Sequence, residues 1–209
     1  MRFYDCTTAP SPRRVRVLMA EKGIEIDTIQ IDLFKGEQFS EAFKKVSPLS
    51  EVPVLVLDDG TTITQVNAIS RYLDEIFPEN PLHGRTLVER ARVDSANSWV
   101  QMNGFAAGAE AFRNFTPGFK NRAMPGPHNY SQIPELAERG LLRIDHFFAD
   151  LDAHFESNEY LVDDYFSVAD ISALVCVDFA KWVKKRIPED HKNLLRWYDQ
   201  VNQRPSAKA

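Results

Sequence analysis

The stretch DDGTTITQVNAISRYLDEIF, residues 58–77, holds the clearest candidate for binding chemistry in this chain of 209 residues. Asp58-Asp59-Gly60 reads as a turn and Thr61 to Thr64 as a short strand. Ile69, Tyr72, Leu73 and Ile76 then follow helical spacing from about Asn67. A helix that opens directly after a strand leaves backbone N–H groups unpaired and carries partial positive charge, so it suits an anion. It is entered through Gln65-Val66-Asn67, without an obvious Ser, Thr or Asp cap.

Other reactive side chains point to less. Cys6 ends the first apparent strand and Cys176 lies in an apolar run. Both read first as core thiols, and a disulfide between them is not expected. Five scattered His residues show no metal-ligand spacing, so no metal site is expected. Lys and Arg number 25 against 30 Asp and Glu, a net charge of -5, and no block of like charge marks a nucleic-acid or membrane surface. The basic run Lys184-Lys185-Arg186 reads as a solvated helix end. The first residues look like a strand rather than a targeting segment, and no apolar run reaches about 18 residues. A cytoplasmic protein that binds neither nucleic acid nor membrane is therefore expected.

The elements that must position the candidate site fall into two groups. Residues 1–78 read as strand, helix, strand, a short irregular or helical segment, a hairpin turned at Asp58-Asp59-Gly60, and a helix, which indicates an α/β layer. Pro78-Glu79-Asn80-Pro81 mark a linker over residues 79–85. Residues 86–209 read as all-helical, with helices over Thr86 to about Arg113, Pro134 to Phe155, Val168 to about Lys185 and Glu189 to Gln203. Ser167 followed by Asp170 resembles a capping box. NFTPGFKNRAMPGPHNYSQ, between the first two long helices, is too long for an idle connection and is expected to be functional or disordered.

APSPRRVRVLMAEKGI, SEVPVLVLDDGTTITQVNAISRYLDE, YLVDDYFSVADISAL and LLRWYDQVNQRP, taken in that order, resemble the cytosolic glutathione transferase family along nearly the whole chain. TIQIDLFKGEQ, LDDGTTI and FRNFTPG look most like its yeast-type and related bacterial branch. The resemblance implies an N-terminal thioredoxin-like domain, a C-terminal helical domain and a homodimer. Glutathione would be the co-substrate and a small electrophile the second substrate. It makes Pro53 a cis-proline that lets the backbone of Val52 pair with glutathione as an added strand. Gln38 falls where a polar residue meets the glycine carboxylate, or is an idle loop residue. Gln65 keeps the family's contact to the γ-glutamyl amine, whereas Val66 replaces the usual serine and removes a hydroxyl. That loss is about 1.5–3 kcal/mol for a hydrogen bond to a charged group. Asn67 is the alternative cap.

Transfer chemistry needs the glutathione thiolate, while a free thiol with a pKa near 8.5 is mostly protonated at neutral pH. The resemblance puts Ala9 where serine- and cysteine-type members carry their sulfur-activating residue. Thr7, Thr8 and Ser11 are the nearest hydroxyls, and Ser11 is either the catalytic donor or the cap of the first helix. The helix dipole or a bound water is the alternative activator. The second substrate would lie against Phe112, Arg113 and Phe115, with Phe105 and Phe119 nearby and Arg113 facing an acidic or nitro group. Trp99 and Trp197 read as packing residues. Two rivals share the fold: a non-catalytic interaction protein, suggested by Ala9 and Val66, and a thiol/disulfide oxidoreductase using Cys6.

Overall fold

The computed structural model describes residues 1–209. Its first part comprises β1 (Arg2–Asp5), α1 (Pro10–Lys22), β2 (Asp27–Gln30), the single-turn α2 (Glu41–Lys44), β3 (Val54–Val56), β4 (Thr62–Thr64) and α3 (Val66–Ile76). The strands form one sheet in the order β2-β1-β3-β4, with β1 and β2 parallel and the other pairs antiparallel. Pro10 pre-sets the first turn of α1, and Gly23, at φ 66, ends it in the left-handed conformation that glycine adopts at no steric cost. The apolar residues between them, Val15, Val17 and Leu18, are wholly buried. This α/β layer matches the expected element order.

The second part is helical: α4 (Leu87–Val100), α5 (Ala106–Phe115), α6 (Pro134–His154), α7 (Val168–Ala180) and α8 (Lys192–Asn202). The expected helix from Thr86 to about Arg113 is α4 and α5, joined through a wide π turn at Gln101–Phe105. Thr86 starts it in a capping box with Glu89 that the sequence reading had not singled out. The expected helix to Lys185 stops earlier, because Lys184 turns left-handed at φ 62 after a tight turn at Lys181–Val183. The last helix begins at Lys192 rather than Glu189, since His191 has a non-helical backbone.

The Ser167–Asp170 capping box is present and sits at the centre of the helical core. Asp170, with no exposure, accepts from Leu161 N at 2.9 Å, Ser167 N at 3.1 Å, Ser167 Oγ at 3.0 Å and Trp197 Nε1 at 3.2 Å. Trp197 stacks on Phe155 at 4.8 Å, and Trp99 lies tilted against Phe147, so both tryptophans pack as expected.

The linker is fixed in place. Asp74 of α3 accepts from Leu82 N and His83 N at 2.9 Å each, and pairs with Lys22 Nζ of α1 at 2.7 Å. Lys22 also donates to the carbonyls of Glu79 and Asn80, while Leu82 O accepts from Val168 N at 3.0 Å. One hydrophobic cluster runs from Phe3, Val15 and Leu18 through to Leu151 and Val175 of the helical part.

Two predictions test these buried charges. Removing one partner of a buried ion pair leaves the other uncompensated, so Lys22→Met should cost about 3–5 kcal/mol in denaturant unfolding. The second concerns pH. Burial pushes the Asp170 carboxyl up from 3.8 to about 6, against the hydrogen bonds that lower it. Between those values the native state keeps a proton that the unfolded chain has lost, so this group's contribution falls as pH rises from about 4 to 6, by roughly 3 kcal/mol. Urea midpoints of Asp170→Asn should therefore vary less between pH 4 and 7 than those of the wild type. Equal slopes would rule this out.

Candidate functional site

Sheet register brings three chain segments to one place. Tyr4 lies opposite Val54, which lies opposite Thr64, so the end of β1, the start of β3 and the end of β4 share one end of the sheet. Cys6 to Ala9, Glu51 to Pro53 and Gln65 to Asn67 leave from that end. These are the stretches that carry the candidate residues.

The start of α3 has no side-chain cap. Its first intrahelical bond runs from Ile69 N to Gln65 O at 3.0 Å, so the N–H groups of the first turn are available to a ligand. Gln65 occupies the cap position at φ 70, a conformation a non-glycine residue seldom adopts outside constrained sites. Asn67 does not take over the cap, contrary to expectation: it is the second helical residue, and its Oδ1 accepts from Asn97 Nδ2 of α4 at 3.0 Å. Val66 is buried in the main core, so it contributes packing and keeps only its backbone at the helix end.

Val52-Pro53 is a cis peptide, as expected. Pro53 is buried, and neither the N–H nor the C=O of Val52 pairs with another backbone group. Immediately before it, the backbone of Glu51 is held at both ends by Ser47 Oγ, which accepts from its N–H at 3.1 Å and donates to its C=O at 3.0 Å. Glu51 Oε2 accepts from Gln65 Nε2 at 3.3 Å. Gln38 sits in the tight turn Glu37–Phe39, with Nε2 3.5 Å from Leu33 O and Oε1 buried without a partner.

The start of α1 is held by a buried network. Asp5, 1 % exposed, accepts from Arg16 Nη1 and Gln30 Nε2, both at 2.6 Å, and Gln30 Oε1 accepts from Thr7 N and Thr7 Oγ1. Thr8 Oγ1 lies 3.4 Å from Cys6 Sγ. Ala9 is the N-cap residue, so Ser11, second in the helix, is not the cap. With both threonines engaged, Ser11 is the hydroxyl in this turn without a side-chain hydrogen bond. Cys6 is 5 % exposed, which withdraws the support for it as an exchange nucleophile.

On the helical side, Phe112 meets Phe119 and Trp182 edge-on at 5.2 Å and Phe179 at 5.8 Å, and Phe105 stacks on Phe179. Arg14, 6 % exposed, lies over the Phe105 ring at 4.2 Å, and its Nε and Nη1 have no hydrogen-bond partner. Burial lowers its pKa to about 10. Phe115 stands apart from this aromatic group, 75 % exposed at the end of α5. Arg113 is not an unengaged cation. It donates to the carbonyls of Ala123 at 3.2 Å, Arg122 at 2.7 Å and Met124 at 2.9 Å, and stacks on Phe119. Its hydrogen bonds hold the long loop, residues 116–133. Gln132 Nε2 closes the loop base on Arg113 O and Thr116 O, and Arg122 stacks on Phe39 of the first part at 4.0 Å.

Glu51, Trp182 and Arg122 were not singled out from the sequence. An acid next to Val52-Pro53, together with an uncharged residue at 65, was a usable signal for Glu51. Trp182 was hidden by a helix predicted too long, and a loop arginine such as Arg122 carries no pattern at all.

Residues 8–76 match the family model of the glutathione S-transferase N-terminal domain, and residues 126–205 that of the C-terminal domain. The chain belongs to the glutathione S-transferase family, which uses glutathione as co-substrate. Glutathione S-transferase 2 of Saccharomyces cerevisiae is 32% identical over 216 residues, an alignment covering 100% of this chain and 88% of that protein. A glutathione S-transferase domain-containing protein from Marinobacter aquaeolei VT8 superposes with a TM-score of 0.91 at 34% identity over 99% of both chains. Gtt2 from Saccharomyces cerevisiae gives 0.90 at 32%, over 100% of this chain and 99% of its own. These relatives agree with the yeast-type and bacterial branch.

Arg113→Ala would leave three loop carbonyls without their donor. Limited proteolysis should then cut within residues 116–133 faster than in the wild type, while cleavage elsewhere is unchanged.

Proposed function

We propose that this protein is a glutathione transferase that joins the thiolate of glutathione to a small electrophile. The observation that carries the reading is the meeting, at one sheet end, of the unpaired backbone of Val52 with the uncapped start of α3. The backbone of Val52, oriented by Pro53, pairs with the cysteinyl unit. The first turn of α3, from Val66, takes the γ-glutamyl carboxylate, Gln65 lies beside the amine, and Gln38 serves the glycine carboxylate. Ser11 is the hydroxyl that donates to the sulfur. The electrophile lies between the domains against Phe112 and its aromatic neighbours, with Phe115 at the outer margin and Arg113 acting through the loop it holds. Residues 1–78 form the glutathione-binding domain, and 86–209 the helical domain.

A homodimer in the cytoplasm belongs to the same proposal. Exposed Phe34, Leu87 and Val88 support a second subunit, and the free cysteines support a reducing compartment. No helix is long and apolar enough to cross a membrane.

Calorimetric titration with glutathione should give saturable heat at or below about millimolar concentration. Absence of heat and of competition there would overturn the reading. Ser11→Ala should keep glutathione affinity and lower turnover of an aryl halide at least about tenfold. The rival reading, a non-catalytic interaction protein, draws on Ala9 at the cap. Glutathione binding without turnover, together with a stable partner in pull-downs, would favour it.

A further inference from the structure

We propose that Glu51, rather than Gln65, supplies the negative charge that reads the ammonium group of the γ-glutamyl head, and that Gln65 positions it. The inference rests on the glutathione-binding reading above. An α-amino-acid head carries two opposite charges. The positive end of α3 answers its carboxylate, but Gln65 offers the ammonium only a neutral amide.

The missing charge stands next to it. Glu51 Oε2 takes its hydrogen bond from Gln65 Nε2, and an ionised carboxylate only accepts. That fixes the amide with its nitrogen toward Glu51 and leaves Gln65 Oε1 as an acceptor directed elsewhere. Glu51 Oε1 makes no side-chain hydrogen bond, so two acceptors, one of them charged, flank the helix end. The only hydrogen bond to the Glu51 side chain is the one from Gln65. Arg113 is near enough to feel its charge, but its hydrogen bonds go to the loop.

The surroundings keep this carboxylate in place. Ser47 grips its backbone on both sides, Ser50 before it turns left-handed at φ 57, and the cis peptide follows. The loop of the helical part comes down on it at Gly126, where a Cβ would lie 3.7 Å from Glu51 Oε1 and 3.8 Å from Leu49 O. A half-buried carboxylate with no salt-bridge partner, beside an uncapped helix end, mirrors the charges of a free α-amino acid. The ligand class is therefore γ-glutamyl compounds with an unblocked ammonium.

The test compares glutathione with its deaminated analogue, glutaryl-cysteinylglycine, by calorimetry on the full chain, with circular dichroism melts to verify folding. The wild type should prefer glutathione by about tenfold to a hundredfold, the scale of one hydrogen bond to a charged group. E51Q, which keeps the shape and a hydrogen bond to Gln65, should lose most of that preference with its affinity for the analogue unchanged. Gln65→Ala should reduce it in part. The double variant E51Q/Q65E, which moves the charge one residue across the pair, should restore it. An E51Q protein that discriminates like the wild type overturns the proposal, as does a double variant that stays indifferent. If the wild type binds neither compound, the glutathione reading itself fails.

Discussion

The ion pair between Lys22 and Asp74 is the contact on which the placement of both halves depends. Its side chains are 1% and 4% exposed, so each charge would be costly alone, and together they saturate each other with backbone partners. Lys22 belongs to α1 and Asp74 to α3. Leu82 and His83, bound to Asp74, belong to the segment leading to the helical part, and Leu82 in turn holds Val168 at the start of α7. A second chain runs from His83 Nε2 to Ser70 Oγ, from Ser70 Oγ to Asn67 O, and from Asn67 Oδ1 to Asn97 of α4. The start of α3 is thus set against the helical domain directly through Asn67, and again through Ser70 and Asp74.

That constraint suits recognition through the backbone. Strand ends, helix ends and an unpaired peptide group present donors and acceptors whose positions come from the fold, so they tolerate side-chain replacement. Val66 shows this: its side chain serves the core while its N–H keeps its place at the helix end. The Asp5 network does the same for α1, where Gln30 of β2 holds Thr7 and Arg16 holds the turn through the carbonyl of Thr7. What such backbone groups do not supply is a full charge, and a charge needs only to reach the right few ångströms from any of the converging segments.

The fold was legible in the sequence where local chemistry and burial agree. Asp58-Asp59-Gly60, the Ser167–Asp170 box and the apolar spacing of α6 each point to the structure that forms. Helix ends were less legible, because Lys184 and His191 stop or delay helices by backbone conformation that their residue types do not announce. Asn67 looked like a cap and became a bridge to Asn97, a partner thirty residues away. At the site, the cis peptide at Val52-Pro53 could be named because proline is the residue type that forms one readily, whereas Gln65 was named through the family resemblance. The true work of Arg113 could not, since a guanidinium that suits an anionic ligand suits three carbonyls equally well, and only the path of residues 116–133 decides between them.

The electrostatics around α1 bear on Ala9. Arg14 lies beside Cys176, and its charge favours a thiolate there. Yet burial pushes that thiol up to about 12, so desolvation outweighs a neighbouring cation. On the proposed reading, the ionisation of a glutathione sulfur at the start of α1 depends on donors that touch it and on contact with water: the N–H and the hydroxyl of Ser11, since Pro10 and Pro12 carry no N–H. Ala9, the N-cap residue, offers no side-chain donor of its own and leaves both of these in place.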